Sequence, residues 1–314
     1  MKGKLILTVE QAEADRKKWE EVRNTGIGGS DVAVIMGLNP WKSAYALYME
    51  KSGQVEPDDL SENECVYWGT VLEPNVANRF AELTGKKVRK CGTLQDDDYP
   101  YMLANVDRLV VGENAGLECK TASTYKKEEW DGENVPDAYY CQCQWYMMVT
   151  GFDTWYIACL IGGNHFEHKA IPRNEKFIQE MRTAVIEFWE NMQKGIAPEI
   201  DGSESTTEAL RKQYGDIDNE QTVMLPSSCG ALIARYDELT ATKKVLEAEI
   251  DAVTNSLKAQ LGEYQTGLFN DRKVVWKTTA GRTTIDSKAL KKELPDVYAK
   301  YAKVGNPSRR FTLK

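Results

Sequence analysis

Apolar positions recur along this chain with a helical period in some stretches and an alternating one in others, and the switches mark the elements. Thr8 can cap a first helix that carries Glu10 in its opening turn and Trp19 and Val22 on one face. The run Gly26-Ile27-Gly28-Gly29-Ser30-Asp31 predicts a tight turn leading into the apolar stretch Val32 to Met36. Asn39-Pro40-Trp41 breaks the chain, and Ser43 can cap a helix through Ala44, Leu47 and Tyr48. The acidic stretch Gly53 to Glu64, with Pro57, reads as a surface loop. Leu72, Val76, Phe80 and Leu83 predict a helix over Trp68 to Thr84, ended by Gly85. Two strands follow, Val106 to Val111 and Gly116 to Thr121, and then an aromatic-rich helix from about Asp137 to Thr150. Trp155 to Leu160 and Phe166 to Ile171 predict a hairpin turned at Gly162-Gly163-Asn164. Asn174 to Lys194 is expected to be a helix with Phe177, Ile178, Met181, Val185 and Phe188 in one stripe.

Glycine, proline, serine and charge dominate from Gly195 to Asp218. A long helix, Cys229 to Leu261, carries Leu232, Tyr236, Leu239, Val245 and Ile250, the pattern of a packed arm or a short coiled coil. Beyond it a strand is expected near Lys273 to Thr278, a helix near Ser287 to Tyr301, and a last strand over Arg309 to Lys314. The expected organisation is a first α/β domain over 1–200, a linker over 201–228, the long helix over 229–263 and a small basic α/β tail over 264–314.

Composition narrows the function classes. The 314 residues are 42% hydrophobic and 28% charged, a globular profile. No stretch approaches the roughly 18 consecutive apolar residues of a membrane span. The first ten residues carry Lys2 and Lys4 around an apolar run too short for a signal peptide, so a cytoplasmic location is expected. The net charge of −8 argues against a general polyanion binder, but it is unevenly spread. Residues 264–314 hold 12 Lys+Arg and four Asp+Glu, so the other 263 residues are strongly acidic. The seven cysteines show no C-x-x-C spacing and read as reduced thiols rather than an iron–sulfur or zinc site.

The informative chemistry lies in Asn105-Val106-Asp107-Arg108 and Glu118-Cys119-Lys120. If Gly112-Glu113 forms a two-residue turn with glycine first, Val111 faces Asn114 and Asp107 falls opposite Glu118. Facing residues have Cβ atoms about 4.5–5.5 Å apart, close enough for two carboxylates to share one divalent cation. Glu118 and Lys120, two apart on a strand, point to the same face. A hard cation such as Mg²⁺ needs oxygen ligands, polarises a phosphate and lowers the pKa of bound water, and a neighbouring lysine can stabilise developing negative charge. Glu73 could add a third carboxylate, and the backbone carbonyl of Cys119 is also at hand.

Across residues 12 to 195 the sequence resembles the phage lambda-type exonuclease, or YqaJ-like viral recombinase, family of restriction-endonuclease-like, PD-(D/E)xK nucleases. The residues that carry the resemblance are Trp19 and Arg23, Gly26 to Asp31, Asn39-Pro40-Trp41, Trp68-Gly69, Glu73-Pro74, Asn105-Val106-Asp107, Glu118-Cys119-Lys120 and Gln142. The tail, with Trp276-Lys277, Asp286 to Leu290 and Ser308-Arg309-Arg310-Phe311, is similar to that of many phage-encoded members. The resemblance implies a mixed central β-sheet flanked by helices, here with a C-terminal helical arm and small tail. It implies Asp107 and Glu118 as metal ligands with the Cys119 carbonyl, Lys120 as the catalytic lysine, Glu73 as support for the metal site and Gln142 as a positioning group. It also implies that Arg23 and Ser30 bind the 5′-terminal phosphate, although Gly-Ile-Gly-Gly-Ser-Asp departs from the prototype's turn. The activity so implied is Mg²⁺-dependent 5′→3′ digestion of linear duplex DNA, with Mn²⁺ expected to substitute. The 3′ strand would pass to a single-strand annealing protein, and the enzyme would be a homo-oligomer such as a trimeric ring, phage- or prophage-encoded.

Plainer roles exist for the same residues. Gly26 to Ser30 can be only a turn and helix cap, Glu73 only a first-turn charge, and Gln142 a buried amide. Tyr139, Tyr140, Trp145 and Tyr146 suit a core better than a base-stacking platform, and Trp41 suits a channel wall or a core plug. His165 and His168 fit a surface hairpin, and Lys86 to Lys90 a solvated charge run. The competing functions are an endonuclease or flap-cutting enzyme with the same site, and a non-catalytic DNA-end-binding accessory protein.

Overall fold

The structure is a computed structural model that describes residues 1–215, 219–303 and 309–313. The chain forms two compact units, Met1–Asp216 with Ser308–Lys314, and Ile217–Pro307. The first unit opens with β1 (Lys4–Leu7), α1 (Val9–Ala14), α2 (Arg16–Asn24), α3 (Gly29–Ile35), α4 (Ala44–Lys51) and α5 (Glu64–Thr84). Strands β2 (Val88–Lys90), β3 (Thr93–Gln95), β4 (Leu103–Asn105), β5 (Arg108–Val110) and β6 (Ala115–Ala122) follow. After a 3₁₀ turn (Thr124–Trp130) come α6 (Asp137–Thr150), β7 (Thr154–Ile161), β8 (His165–Pro172), α7 (Glu175–Gln193) and α8 (Glu204–Tyr214).

Five strands make a mixed sheet in the order β2-β5-β6-β7-β8, in which only β6 and β7 run parallel. A parallel neighbour requires a crossover, and α6 supplies it. Strand alternation then sends successive side chains to two different cores. Trp155, Ile157, Cys159 and Ile161 face the larger core with Trp145 and Met147 of α6 and Ile178, Met181 and Val185 of α7. Leu117, Cys119 and Ala158 face the other way, onto Val76, Ala77 and Phe80 of α5. Glu118 and Lys120 therefore lie on the α6 side of β6. A smaller sheet, β1-β3-β4, stands beside the Gly26–Asp31 turn, where Ile27 bridges Met102.

The central sheet flanked by helices is the architecture expected from the sequence, and the differences are local. The first helix is two, because Asp15 leaves helical geometry (φ −142°, ψ 93°) and caps α2 through the Lys18 amide. Strands β1 to β4 are three or four residues each, too short to leave a periodic signal. α5 starts earlier than expected, at Glu64, because the Asn63 side chain accepts from the Cys65 and Val66 amides. The expected linker over 201–228 holds α8, which Ser203 caps and whose Thr206 hydroxyl donates to Ser43 at 2.8 Å. Trp41 is exposed and is no core plug, whereas Trp145 and Tyr146 are core residues.

The second unit contains α9 (Cys229–Leu261), the hairpin β9 (Thr266–Phe269) and β10 (Arg272–Val275), α10 (Ser287–Glu293) and α11 (Pro295–Tyr301). The single helix expected over 287–301 is broken at Leu294-Pro295, since proline clashes with a continuing helix. Of the last strand expected, 309–313 is irregular, and Lys314, like Ser308 of the tail motif, lies outside the described residues. Only Leu261 is buried among the described residues of this unit. No helix among the described residues is long and apolar enough to cross a membrane.

Candidate active site

The hairpin between β5 and β6 places the central carboxylates. Arg108 pairs with Leu117 and Leu109 with Gly116, and extending this register by one residue sets Asp107 opposite Glu118. Gly112 has φ +85° in the connecting turn, a backbone conformation that residues with a Cβ adopt only with strain. The ladder ends at Leu117, which frees the Cys119 amide, and that amide donates to Asp107 Oδ2 at 2.8 Å.

Glu118 sits at the centre and its two oxygens differ. Oε1 lies 2.5 Å from Lys120 Nζ and accepts from Gln142 Nε2 at 2.8 Å. Oε2 is buried and has no hydrogen-bond partner among the described residues. Gln142 also donates to the Tyr146 hydroxyl at 2.7 Å, and Lys120 Nζ stands 4.9 Å from the centre of the Tyr139 ring. Burial pushes the Asp107 carboxyl well above the usual carboxylate range, and the neighbouring Glu118 charge pushes it further. Burial raises Glu118 as well, against the pull of Lys120. For Lys120, burial acts downward, but the Glu118 and Asp107 charges outweigh it and hold the ammonium form. Two like-charged acids in a dry site, one with an unanswered oxygen, constitute a site short of positive charge.

Of the other expected residues, Glu73 is tied to Arg108: its Oε1 accepts from Arg108 Nη1 at 2.5 Å, and Arg108 is buried. Glu73 reaches the centre as a neighbouring charge that helps raise Asp107 and Glu118. Arg23 and Ser30 do meet, with Arg23 Nη2 at 3.4 Å from Ser30 Oγ and the guanidinium 5.4 Å from the Trp19 ring centre.

The Gly26–Asp31 turn joins this pair to the carboxylates for steric reasons. A Cβ on Gly26 would stand 2.2 Å from the Tyr101 carbonyl oxygen. One on Gly29 would stand 2.8 Å from Tyr146 Cε1 and 3.0 Å from Gln142 Cγ, the two residues next to Glu118. Asp31 accepts from the Gly28 amide at 3.0 Å and pairs with Lys51 at 3.0 Å, with both side chains buried. Lys51 Nζ further donates to the carbonyls of Arg23 and Gly26, at 3.1 and 2.8 Å. Lys51 is not singled out by the sequence, nor are the partners of Arg108 and Tyr146, because nothing local shows which distant group such a side chain will meet. Clefts of about 470 and about 410 Å³ beside β8, which share Glu133, Lys169 and Ala170, contain none of Asp107, Glu118, Lys120 or Gln142.

Comparison with known proteins places the chain in a family. Residues 18–153 match the YqaJ-like viral recombinase domain. Over 307 residues the chain is 38% identical to protein YqaJ of Bacillus subtilis (strain 168), covering 96% of this chain and 95% of that protein. The chain belongs to the YqaJ-like viral recombinase family. A shorter likeness, 46% identity over 55 residues, links this family member to protein D345L of African swine fever virus (isolate Tick/South Africa/Pretoriuskop Pr4/1996), covering 18% of this chain and 15% of that protein. Among solved structures, an alkaline exonuclease (LHK-Exo) from Laribacter hongkongensis superposes with a TM-score of 0.50 at 23% identity, over 57% of this chain and 94% of that one. The same enzyme in complex with dAMP gives a TM-score of 0.51. That likeness is one of fold, and the core of the YqaJ-like chain is restriction-endonuclease-like.

Proposed function

We propose that this YqaJ-like protein is a metal-dependent nuclease that hydrolyses phosphodiesters of linear duplex DNA from the 5′ end. The observation that carries the reading is the bare, buried Glu118 Oε2 beside Asp107 and Lys120. The donor set fits Mg²⁺: two carboxylates and the Cys119 carbonyl are hard oxygens, and Mg²⁺ keeps several waters rather than demanding an all-protein cage. Mn²⁺ suits the same donors.

Asp107, Glu118 and the Cys119 carbonyl would hold the ion, which when bound supplies a Lewis acid and an activated water. Lys120 is fixed by Glu118 Oε1 at the edge of that position, so its ammonium can orient the nucleophile and stabilise charge developing on phosphate. Gln142 keeps the Glu118 carboxylate in one orientation. Arg108 holds Glu73 close enough to add to the negative field without entering the donor set. Arg23 and Ser30, brought together by the glycine turn, are the groups assigned to the 5′-phosphate. The product strand would be handed to a single-strand annealing protein.

Incubation with Mg²⁺ of 5′-phosphorylated linear duplex, the same duplex with 5′-hydroxyl ends, and closed circular DNA tests the proposal. Loss of the 5′-phosphorylated strand alone is expected. Cutting of the circle would replace the exonuclease reading by the endonuclease one, and no cleavage with Mg²⁺ or Mn²⁺ would leave an end-binding protein.

A further inference from the structure

We propose that α9 pairs antiparallel with the α9 of a second copy of this chain, forming a two-helix coiled coil. Its seam is spaced in heptads: Cys229, Tyr236, Lys243, Ile250 and Leu257 occupy one core position, and Leu232, Leu239, Leu246, Val253 and Gln260 the other. A strict seven-residue repeat of this kind fits another helix rather than a sheet or a loop. Leu232, Leu239, Leu246, Ile250 and Val253 are 51–70% exposed along a helix about 50 Å long. An isolated helix gains most of its stability from burying such a stripe.

Two features select a second copy and its direction. Reversing the helix about a twofold axis between Lys243 and Leu246 overlaps its full length. Cys229 then meets Gln260, Leu232 meets Leu257, Tyr236 meets Val253, Leu239 meets Ile250, and Lys243 meets Leu246. Every layer away from the ends and the axis is apolar on both sides. Lys243, the one charge in the seam, fixes the orientation. In an antiparallel pair it sits beside Glu247 of the second copy, and the two lysines and two glutamates around the axis cancel. In a parallel pair it faces the other Lys243 with Thr242 alongside, and only the glutamate of its own chain answers it. Within one chain Glu247 is only loosely engaged, 3.7 Å from Lys243.

Light scattering on the full chain is expected to give an even multiple of 35.5 kDa. Leu246→Lys with Ile250→Lys should halve that mass while the main thermal transition stays in place. Orientation is read by oxidative cross-linking and peptide mapping. In the variant Gln260→Cys, Cys229 of one copy should form a disulfide with the new thiol at position 260 of the other. The native chain should form no Cys229–Cys229 bridge, because antiparallel pairing separates those residues by about 46 Å. A monomer, an odd-numbered assembly such as a bare trimer, or a mass unchanged by the double substitution overturns the pairing. A Cys229–Cys229 bridge in the native chain overturns the antiparallel direction.

Discussion

Adding one methyl group at Gly29 tests whether the glycine turn and the carboxylate centre are one mechanical unit. In Gly29→Ala the new Cβ stands 2.8 Å from Tyr146 Cε1, about 0.6 Å inside an ordinary 3.4 Å contact, and 3.0 Å from Gln142 Cγ. Both neighbours are buried on α6, so relief means moving the helix or both side chains. Overpacking of this kind costs about 1–3 kcal/mol. For a unit of this size, that corresponds to a fall in melting temperature of roughly 2–10 °C. A displacement of about 0.4 Å at Gln142 would also stretch its 2.8 Å bond to Glu118 to about 3.2 Å, the long end of the normal range. A buried bond to a charged group contributes about 1.5–3 kcal/mol, so weakening it should lower nuclease activity by up to roughly 10- to 100-fold. Gly28→Ala is the control within the same turn. Its Cβ meets only Asn105 Nδ2 and Asp31 Oδ2, each at 3.7 Å, and its φ of −97° is open to alanine. Thermal unfolding and the rate of strand loss on 5′-phosphorylated duplex, measured on both variants, decide the matter. Equal damage from the two substitutions, or a Gly29→Ala protein as active as the native one, would refute the coupling.

Asp107→Asn should abolish Mg²⁺-dependent cleavage, a loss of at least roughly a hundredfold, yet stabilise the metal-free protein by about 0.5–2 kcal/mol in urea denaturation; Glu118→Gln should abolish cleavage equally but destabilise, because it strands the Lys120 ammonium. A destabilised Asp107→Asn protein would contradict the repulsion between the two acids. Because burial raises both carboxyls, the folded state holds protons that the unfolded chain releases, so metal-free stability should fall as pH rises from about 4 towards neutrality. Mg²⁺ needs the deprotonated acids, so its thermal stabilisation should be larger at pH 8 than at pH 5; a pH-independent shift would place the ion elsewhere. Lys51→Met strands Asp31 in the interior and should cost about 3–5 kcal/mol, while Lys51→Met with Asp31→Leu should recover part of it; additivity of the two single losses in a double-mutant cycle would deny the pairing.

What could be read in the sequence is what local rules determine. The opposition of Asp107 and Glu118 follows from the alternation of a strand and the turn chemistry of Gly112, and the β5–β6 register agrees with it. The capping side chains of Thr8, Ser43 and Asn174 all act as local rules foresee. The partner of a long polar side chain is a different kind of fact. Arg108 finds Glu73 from 35 positions away, and Lys51 finds Asp31 and two carbonyls, only once the helices have packed. α8 was hidden for a related reason: beside the small apolar contribution of Ala209 and Leu210, its docking uses the hydroxyls of Thr206 and Ser43, which leave little apolar period to announce it. Gln142 showed only as a polar residue in an aromatic helix, and the resemblance rather than any local rule singled it out.

The −8 net charge can now be weighed against a DNA substrate. Part of the acidity has a fixed location and no cation to match it: Asp107 and Glu118 lie in a dry site with Lys120, and Glu73 nearby is already answered by Arg108. Once both buried acids give up their protons, three carboxylates stand against two cations, and the bare Glu118 oxygen is where the excess negative charge would lie. A divalent ion there would reverse the local sign, turning a patch that repels phosphate into one that attracts it. Affinity for DNA backbone should therefore be conditional on the ion. The acidic surface of the first unit would then discourage binding wherever no scissile phosphate can reach that position.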